Sequence, residues 1–357
     1  MTTIQVTTAA QRGTLPDADK LGFGKIFTDH MLEMDYETGK GWHNAKIVPY
    51  ADITMSPAAM VLHYGQAIFE GMKAFKTADG RIVMFRAKDH LQRFNRSADI
   101  LCIPQMDAAF LEKAISQLID LDKEWVPGKV GTSLYIRPFV VAVDPYVGVK
   151  VGDIYKLYVI LSPVGAYYAS GFNPVKIKVE EKYVRATQGG LGEAKTPANY
   201  AASMKASEEA KEEGYTQVLW LDAVERKYVE EVGTMNIFFK IAGELVTPAL
   251  SGSILSGITR RTVIELAKEW GVKVAERQIS IEEIYAAHAS GQLEEVFGSG
   301  TAAIISPVGE LCWKGKKIAI NDNKTGPLSQ KLFDYIFGVQ TGKEPDKFGW
   351  VTEVTKL

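Results

Sequence analysis

Lys195 closes a glycine-rich stretch, Gly189-Gly190-Leu191-Gly192-Glu193-Ala194-Lys195-Thr196-Pro197, and the residues after it carry the marks of a helix start. Thr196 is a good N-cap and Pro197 suits the first helical position. This puts an amine at the positive end of a helix dipole, where the ammonium is disfavoured and the neutral, nucleophilic form becomes more accessible. From this segment alone, an exposed lysine beside a helix cap is the commoner reading. Two further loops are suited to anions. Ser251-Gly252-Ser253-Ile254-Leu255-Ser256-Gly257-Ile258-Thr259 runs into a helix at Arg260, and free amides, hydroxyls and the dipole there make a natural phosphate site. It is neither a Walker loop nor a dinucleotide fingerprint, and an ordinary strand-to-helix turn stays open. Phe297-Gly298-Ser299-Gly300-Thr301-Ala302 reads as a loop of small residues after a strand, with amides for a phosphate or carboxylate. Glu231 opens an otherwise uncharged hexapeptide, Glu231-Val232-Gly233-Thr234-Met235-Asn236. It is either a surface cap or a charge partner.

A lysine, a carboxylate and two phosphate-binding loops are what a pyridoxal phosphate enzyme needs. The lysine holds the aldehyde as a Schiff base, the carboxylate keeps the pyridine nitrogen protonated so that the ring takes up electrons, and the phosphate anchors the ring.

Composition removes several other classes. With 357 residues, 46% hydrophobic and 24% charged, the chain is long enough for two domains of ordinary globular make-up. A net charge of −2, with both signs interspersed, carries no footprint of nucleic-acid binding. Cys102 and Cys312 are far apart, which excludes a disulfide framework or cysteine zinc site, and the five histidines show no HxH or HExxH spacing. Apolar runs such as Leu157 to Val164 are strand-sized, too short to span a bilayer. The Thr/Ala-rich first twelve residues are too weakly basic for a transit peptide. A frayed N-terminus and a cytoplasmic protein are expected.

The elements that must position these residues follow from periodicity. Arg81 to Phe85 reads as a strand, Asp89 to Leu101 as a helix with Leu91, Phe94 and Ala98 on one face, and Asp107 as the N-cap of a second amphipathic helix ending before Pro127. Long strands are expected at Thr132 to Val143 and Ile154 to Val164. Small and turn-forming residues from Gly165 to Pro174 mark the connection between domains. Beyond it come strands at Val175 to Val179, Gln217 to Leu221, Asn236 to Lys240 and Val272 to Val274, with two more around Val296 and Ile304. Helices are expected at Ala198 to Glu213, Arg260 to Trp270 and Ile281 to Ala289. Two mixed domains with a cleft between them is the expected architecture.

The hexapeptide 231–236, Phe297 to Ala302, the stretch Leu62-His63-Tyr64-Gly65-Gln66-Ala67-Ile68-Phe69-Glu70-Gly71-Met72-Lys73-Ala74-Phe75, and Lys195 five residues before Tyr200 together resemble the branched-chain amino acid aminotransferases. The resemblance runs from Gly24 to Trp313. It implies an α+β, two-domain pyridoxal 5′-phosphate enzyme of fold type IV, with a smaller N-terminal domain (1–168), an interdomain loop (169–175), a larger C-terminal cofactor domain (176–357) and the active site in the cleft. It implies reversible transfer of the amino group of L-leucine, L-isoleucine or L-valine to 2-oxoglutarate.

By the same resemblance Lys195 is the Schiff-base lysine and the base at the substrate Cα, Glu231 the partner of the pyridine nitrogen, and Tyr200 the partner of the cofactor's phenolic oxygen. Arg93, Ile258, Thr259 and Thr301 match phosphate-binding positions, and Thr234, Leu255 and Gly257 also fall among the cofactor-binding ones. Phe23, Tyr64, Phe69, Tyr135 and Tyr167 match the wall of the substrate pocket. The substrate carboxylate is expected on Thr301, Ala302 and the Tyr64 hydroxyl, and Arg137 on the γ-carboxylate of glutamate. The turn at 146–149 resembles a loop that the family's homodimer inserts into the partner's site. Two departures stand out: Ala303 and Ser306 occupy the places where some relatives carry a Cys-x-x-Cys redox pair, and Pro197-Ala198 replaces a common Gly-Gly, implying a stiffer helix start. D-amino acid aminotransferases and aminodeoxychorismate lyases share the fold type and are the rival activities. A non-catalytic phosphate-ligand binder or a lysine Schiff-base aldolase would need less than is present here.

Overall fold

The computed structural model describes residues 3–165 and 172–354. They fall into two compact units. One gathers the described residues of Met1–Tyr167 with Ala194–Pro197 and Gly338–Leu357; the other gathers those of Tyr168–Glu193 with Ala198–Phe337.

The chain runs β1 (Gln5–Val6), β2 (His30–Glu37), β3 (Gly41–Pro49), α1 (Met60–Tyr64), β4 (Ala67–Phe69), β5 (Met72–Lys76), β6 (Ile82–Phe85), α2 (Ala87–Ile100), α3 (Ala108–Leu121), β7 (Ser133–Ala142) and β8 (Ile154–Val164). It continues with β9 (Val175–Val179), α4 (Pro197–Glu212), β10 (Gln217–Leu221), β11 (Val229–Val232), β12 (Asn236–Ile241), β13 (Glu244–Thr247), α5 (Ile258–Glu269), β14 (Val274–Glu276), α6 (Ile281–Ala289), β15 (Leu293–Gly300), β16 (Ile304–Trp313), β17 (Lys316–Ala319), α7 (Pro327–Gln340) and β18 (Val351–Glu353).

In the first unit the strand order is β1-β3-β2-β8-β7-β5-β6-β18, with β4 beside β7. Antiparallel β7 and β8 pair along their whole length, from Ser133↔Val164 to Ala142↔Tyr155. The expected helices cover one face. Asp107 caps α3 by accepting from the Ala109 and Phe110 amides, and Leu91, Phe94, Leu111, Ile115 and Leu118 join Leu134, Ile136, Val140 and Leu157 in one buried cluster. The second unit's sheet runs β11-β10-β9-β16-β15-β12-β13-β14, with β17 on β16.

Three expectations are corrected. The N-terminal segment is not frayed: β1 pairs with β3, the Ala9 amide donates to His30 Nε2 at 2.8 Å, and Arg12 reaches the buried Asp122 carboxylate at 3.0 Å. A segment without apolar periodicity is held here by backbone pairing and one buried acid. Phe297 to Gly300 is not loop but the end of β15, pairing Ser299 with Asn236 and Gly300 with Ile304; loop remains only at 301–303. The strand expected at Val272 begins instead at Val274. Gly271, at φ +72°, ends α5, and the Val272 amide is spent on the Ala267 carbonyl at 2.8 Å.

Candidate active site

In β7, Leu134, Ile136 and Val140 turn into the core, so Tyr135 and Arg137 lie on the opposite face. Pro138, in mid-strand, has no amide to give to a neighbour. The strand beside it breaks at that place: β4 ends with Phe69 opposite Phe139, and β5 resumes with Met72 opposite Ile136. Glu70 and Gly71 fill the gap, and the Glu70 amide donates to the Pro138 carbonyl at 2.8 Å. Gly71 is needed there, because a Cβ would sit 2.0 Å from the Tyr135 hydroxyl.

The Glu70 side chain is fully buried and accepts from Arg93 Nε at 2.9 Å and Nη2 at 2.6 Å, with His90 Nδ1 at 3.2 Å. Burial alone would raise its carboxyl, but Arg93 and His90 outweigh that and hold it far below the usual carboxylate range. His90 is pushed down by burial, against the pull of Glu70, with the charges of Arg93 and Lys195 adding to the fall.

Lys195 belongs to this unit. Its amide donates to Ser97 Oγ of α2 at 2.9 Å, its carbonyl accepts from the Phe69 amide at 3.0 Å, and the Thr196 hydroxyl donates to the Ala67 carbonyl at 2.8 Å. The lysine backbone is thus fastened to α2 and β4 while Nζ stands 4.7 Å from the Phe69 ring centre. The Arg137 guanidinium lies 4.6 Å from the same ring and donates to the Tyr135 hydroxyl at 2.9 Å. Phe23 packs on Tyr135, ring centres 5.0 Å apart. Arg137 Nε is buried without a hydrogen-bond partner among the described residues, a costly state for a cationic donor unless a ligand supplies the acceptor. Lys73, opposite Tyr135 in register, has its amine pushed down to about 8 by burial.

In the second unit Glu231 lies one residue before the end of β11, 3% exposed. Its Oε1 accepts from the Leu255 amide at 2.8 Å, and its Oε2 lies 3.1 Å from Arg185 Nε. The motif's remaining residues lock neighbouring segments. Gly233, at φ +55°, makes the turn where a Cβ would strike Gln217. Asn236 Nδ2 donates to the Leu255 carbonyl at 2.9 Å. Met235 packs against Gly298 and Gly300, where added Cβ atoms would come within 2.9 and 3.1 Å of it. Gly257, whose Cβ would meet Asn236 Oδ1 at 1.9 Å, is the N-cap of α5 and contributes no side-chain cap. The first amides of α5 and its dipole therefore form a backbone anion cradle. A buried, paired carboxylate and such a cradle fit the ring nitrogen and phosphate of pyridoxal 5′-phosphate.

Of the residues expected from sequence, the first unit brings together Lys195, Phe69, Arg137, Tyr135 and Phe23, with Arg93 joined through Glu70. The second unit brings together Glu231, Leu255, Gly257, Ile258 and Thr259, the last two buried at the start of α5. Thr301 and Ala302 lie in the half-buried turn after β15, Tyr200 in the first turn of α4, and Thr234 exposed in the turn after β11. Tyr64 is set apart: it is 42% exposed and its hydroxyl donates to the Val147 carbonyl. Tyr167 and much of the 169–175 connection lie outside the described residues. Glu70 and Arg185 were missed. An acid between Phe69 and Gly71 in a mostly apolar stretch was a usable signal for the first; Arg185 offered none.

Residues 67–311 match the family described as amino-transferase class IV. The chain belongs to the class IV aminotransferases. It is 54% identical over 355 residues, 99% of this chain and 98% of the other, to branched-chain-amino-acid aminotransferase 2 of Bacillus subtilis. Among solved structures it is similar to the branched-chain amino acid aminotransferase of Escherichia coli, with TM-score 0.75, 30% identity, and 91% of this chain and 100% of that one covered. It is likewise similar to the branched-chain amino acid aminotransferase of Thermobaculum terrenum in its PLP-form, with TM-score 0.74, 25% identity, and 92% and 99% covered. These neighbours have the α+β architecture of fold type IV.

Proposed function

We propose that this chain is a branched-chain-amino-acid aminotransferase, moving the amino group of L-leucine, L-isoleucine or L-valine reversibly to 2-oxoglutarate to give branched-chain 2-oxo acids and L-glutamate. The observation that carries the residue assignment is the Phe69 ring with Lys195 Nζ and Arg137 both against it. A reacting amine stands beside an apolar surface that also holds a guanidinium whose Nε has no hydrogen-bond partner among the described residues. That suits a site that must take an aliphatic side chain in one half-reaction and a γ-carboxylate in the other.

When bound, pyridoxal 5′-phosphate supplies an aldehyde that condenses with amines and a ring that takes up the electron pair left on the substrate Cα. Lys195 holds the cofactor between turnovers and moves the proton at the substrate Cα. Glu231, kept in place by Arg185 and the Leu255 amide, holds a proton on the ring nitrogen, and Tyr200 donates to the phenolic oxygen. Arg93, steadied by Glu70, the amides of Ile258 and Thr259 and the Thr301 hydroxyl take the phosphate, with Thr234, Leu255 and Gly257 shaping the surround. The turn at Thr301 and Ala302 receives the substrate carboxylate, Phe23, Phe69 and Tyr135 wall the side chain, and Arg137 takes the γ-carboxylate.

The working form is a homodimer. Tyr146, Val147 and Val149 are 50%, 64% and 84% exposed, a largely apolar tip. Tyr64 is hydrogen-bonded to this tip, so whichever subunit's site the 146–149 loop serves, Tyr64 serves it too. No helix among the described residues is long and apolar enough to cross a membrane, and the cytoplasm suits the proposed substrates. Assaying L-leucine against D-alanine with 2-oxoglutarate tests the activity. Turnover of L-leucine is expected, and preference for D-alanine would contradict it.

A further inference from the structure

We infer that Arg185 is a positioning residue for the ring-nitrogen carboxylate, holding Glu231 ionised while tying it to the two loops that lead to Lys195 and to the phosphate helix. The inference rests on the reading of Glu231 and Lys195 given above. Arg185 is 9% exposed, in the chain between β9 and α4. Its Nε lies 3.1 Å from Glu231 Oε2. Its Nη2 donates to the Gly192 carbonyl at 2.9 Å and to the Ser253 carbonyl. One guanidinium therefore joins β11, the glycine run that precedes Lys195, and the segment that precedes α5.

Two further contacts show that these segments are built to meet at this point. A Cβ on Gly192 would lie 2.2 Å from the Ser253 carbonyl oxygen, so the two loops touch backbone to backbone. Leu255, two residues past Ser253, gives its amide to the other oxygen of Glu231. One Glu231 oxygen is thus held by the Leu255 amide, and the other lies within ion-pair reach of Arg185, whose Nε makes no hydrogen bond among the described residues. The fork shape matters: a planar guanidinium reaches a carboxylate and two carbonyls at once, which an ammonium cannot do in fixed geometry.

The second acid facing Arg185 is Glu230. It is 6% exposed and accepts from the Ser253 hydroxyl, which in turn lies 2.8 Å from the Ser251 hydroxyl. Burial raises the Glu230 carboxyl and the Asp222 charge adds to the rise, while the Ser253 hydrogen bond and the Arg185 charge oppose it. Glu230 is thus biased towards its neutral form, and the Arg185 Nε lies against Glu231. An opposite charge this close favours the ionised carboxyl. Without it, Glu231 takes up a proton more readily and no longer favours one on the ring nitrogen.

The test uses holoenzyme loaded with pyridoxal 5′-phosphate labelled with 15N in the ring, and reads the nitrogen chemical shift against pH for the unaltered protein, Arg185→Met, Arg185→Lys and Glu231→Gln. The unaltered protein is expected to carry a protonated ring nitrogen. Arg185→Met is expected to shift the signal in the same direction as Glu231→Gln, with kcat down about tenfold or more and KM for leucine little changed. Arg185→Lys is expected to keep most of the nitrogen signal but to hold the cofactor more weakly, because the ties to Gly192 and Ser253 are lost. If Arg185→Met does not yield folded holoenzyme, Arg185→Lys carries the test, and unchanged cofactor affinity in that variant overturns the claim. A protonated nitrogen in folded Arg185→Met overturns this claim alone. Absence of cofactor on Lys195 in the unaltered protein overturns the site assignment, and this claim with it.

Discussion

Arg137 donates to Tyr135 with one nitrogen, and its buried Nε has no hydrogen-bond partner among the described residues; the proposed grip on the γ-carboxylate of glutamate would supply one. A hydrogen bond to a charged group contributes about 1.5–3 kcal/mol, or roughly 10- to 100-fold. Arg137→Met is expected to raise KM for glutamate and 2-oxoglutarate by that factor and to leave leucine nearly unaffected in steady-state assays; untouched glutamate kinetics would remove Arg137 from that role. Glu70 makes a different prediction, since removing one partner of a buried ion pair costs about 3–5 kcal/mol. Its carboxyl is depressed in the folded protein, so the stabilisation is present above the unfolded value of about 4.3 and is lost as pH falls towards the folded value. Glu70→Gln should therefore unfold at lower denaturant than the unaltered protein at pH 7, with a smaller gap at pH 3; an equal gap at both would contradict the pairing. At this scale Lys195 and Glu231 were legible because their types and surroundings are unusual. Arg185 was not, because a charged residue in an irregular segment says nothing about which carboxylate it meets.

Several elements owe their geometry to single residues that sequence reading passes over. Opposite Pro138 the neighbouring strand breaks between β4 and β5, and from that break the Glu70 side chain reaches Arg93. Gly257 has ordinary φ of −67°, so its role is space rather than backbone freedom. Gly257→Ala would drive a Cβ into Asn236, and overpacking of that kind costs about 1–3 kcal/mol. The dissociation constant for pyridoxal 5′-phosphate, followed by absorbance titration, is expected to rise about tenfold or more; an unchanged constant would mean that the 236–257 contact does not shape the cradle. The amphipathic helices α2 and α3 were legible because a buried face leaves a 3.6-residue period. The stretch 297–300 was misread because small residues mark close packing as well as loops. Gly298 and Gly300 are small because Met235 lies against them, a contact between positions far apart in sequence.

Across the whole molecule, composition removed alternatives without naming a function, and the motifs supplied the rest. The return of Val351–Glu353 to pair with β6 leaves no mark in the sequence, since a short edge strand has neither length nor alternation to announce it. The exposed tip at Tyr146, Val147 and Val149 belongs to this scale too. Val147→Glu is expected to shift sedimentation from dimer towards monomer and to lower specific activity at low protein concentration. A monomer with full activity would contradict the shared site. The central claim, that Lys195 carries the cofactor, is tested most directly by reducing purified holoenzyme with borohydride and mapping the modified peptide by mass. A pyridoxyl adduct on Lys195, with loss of the visible absorbance, is the predicted result. A colourless protein that gains no adduct at Lys195 after added pyridoxal 5′-phosphate, or an adduct on another lysine, would contradict it.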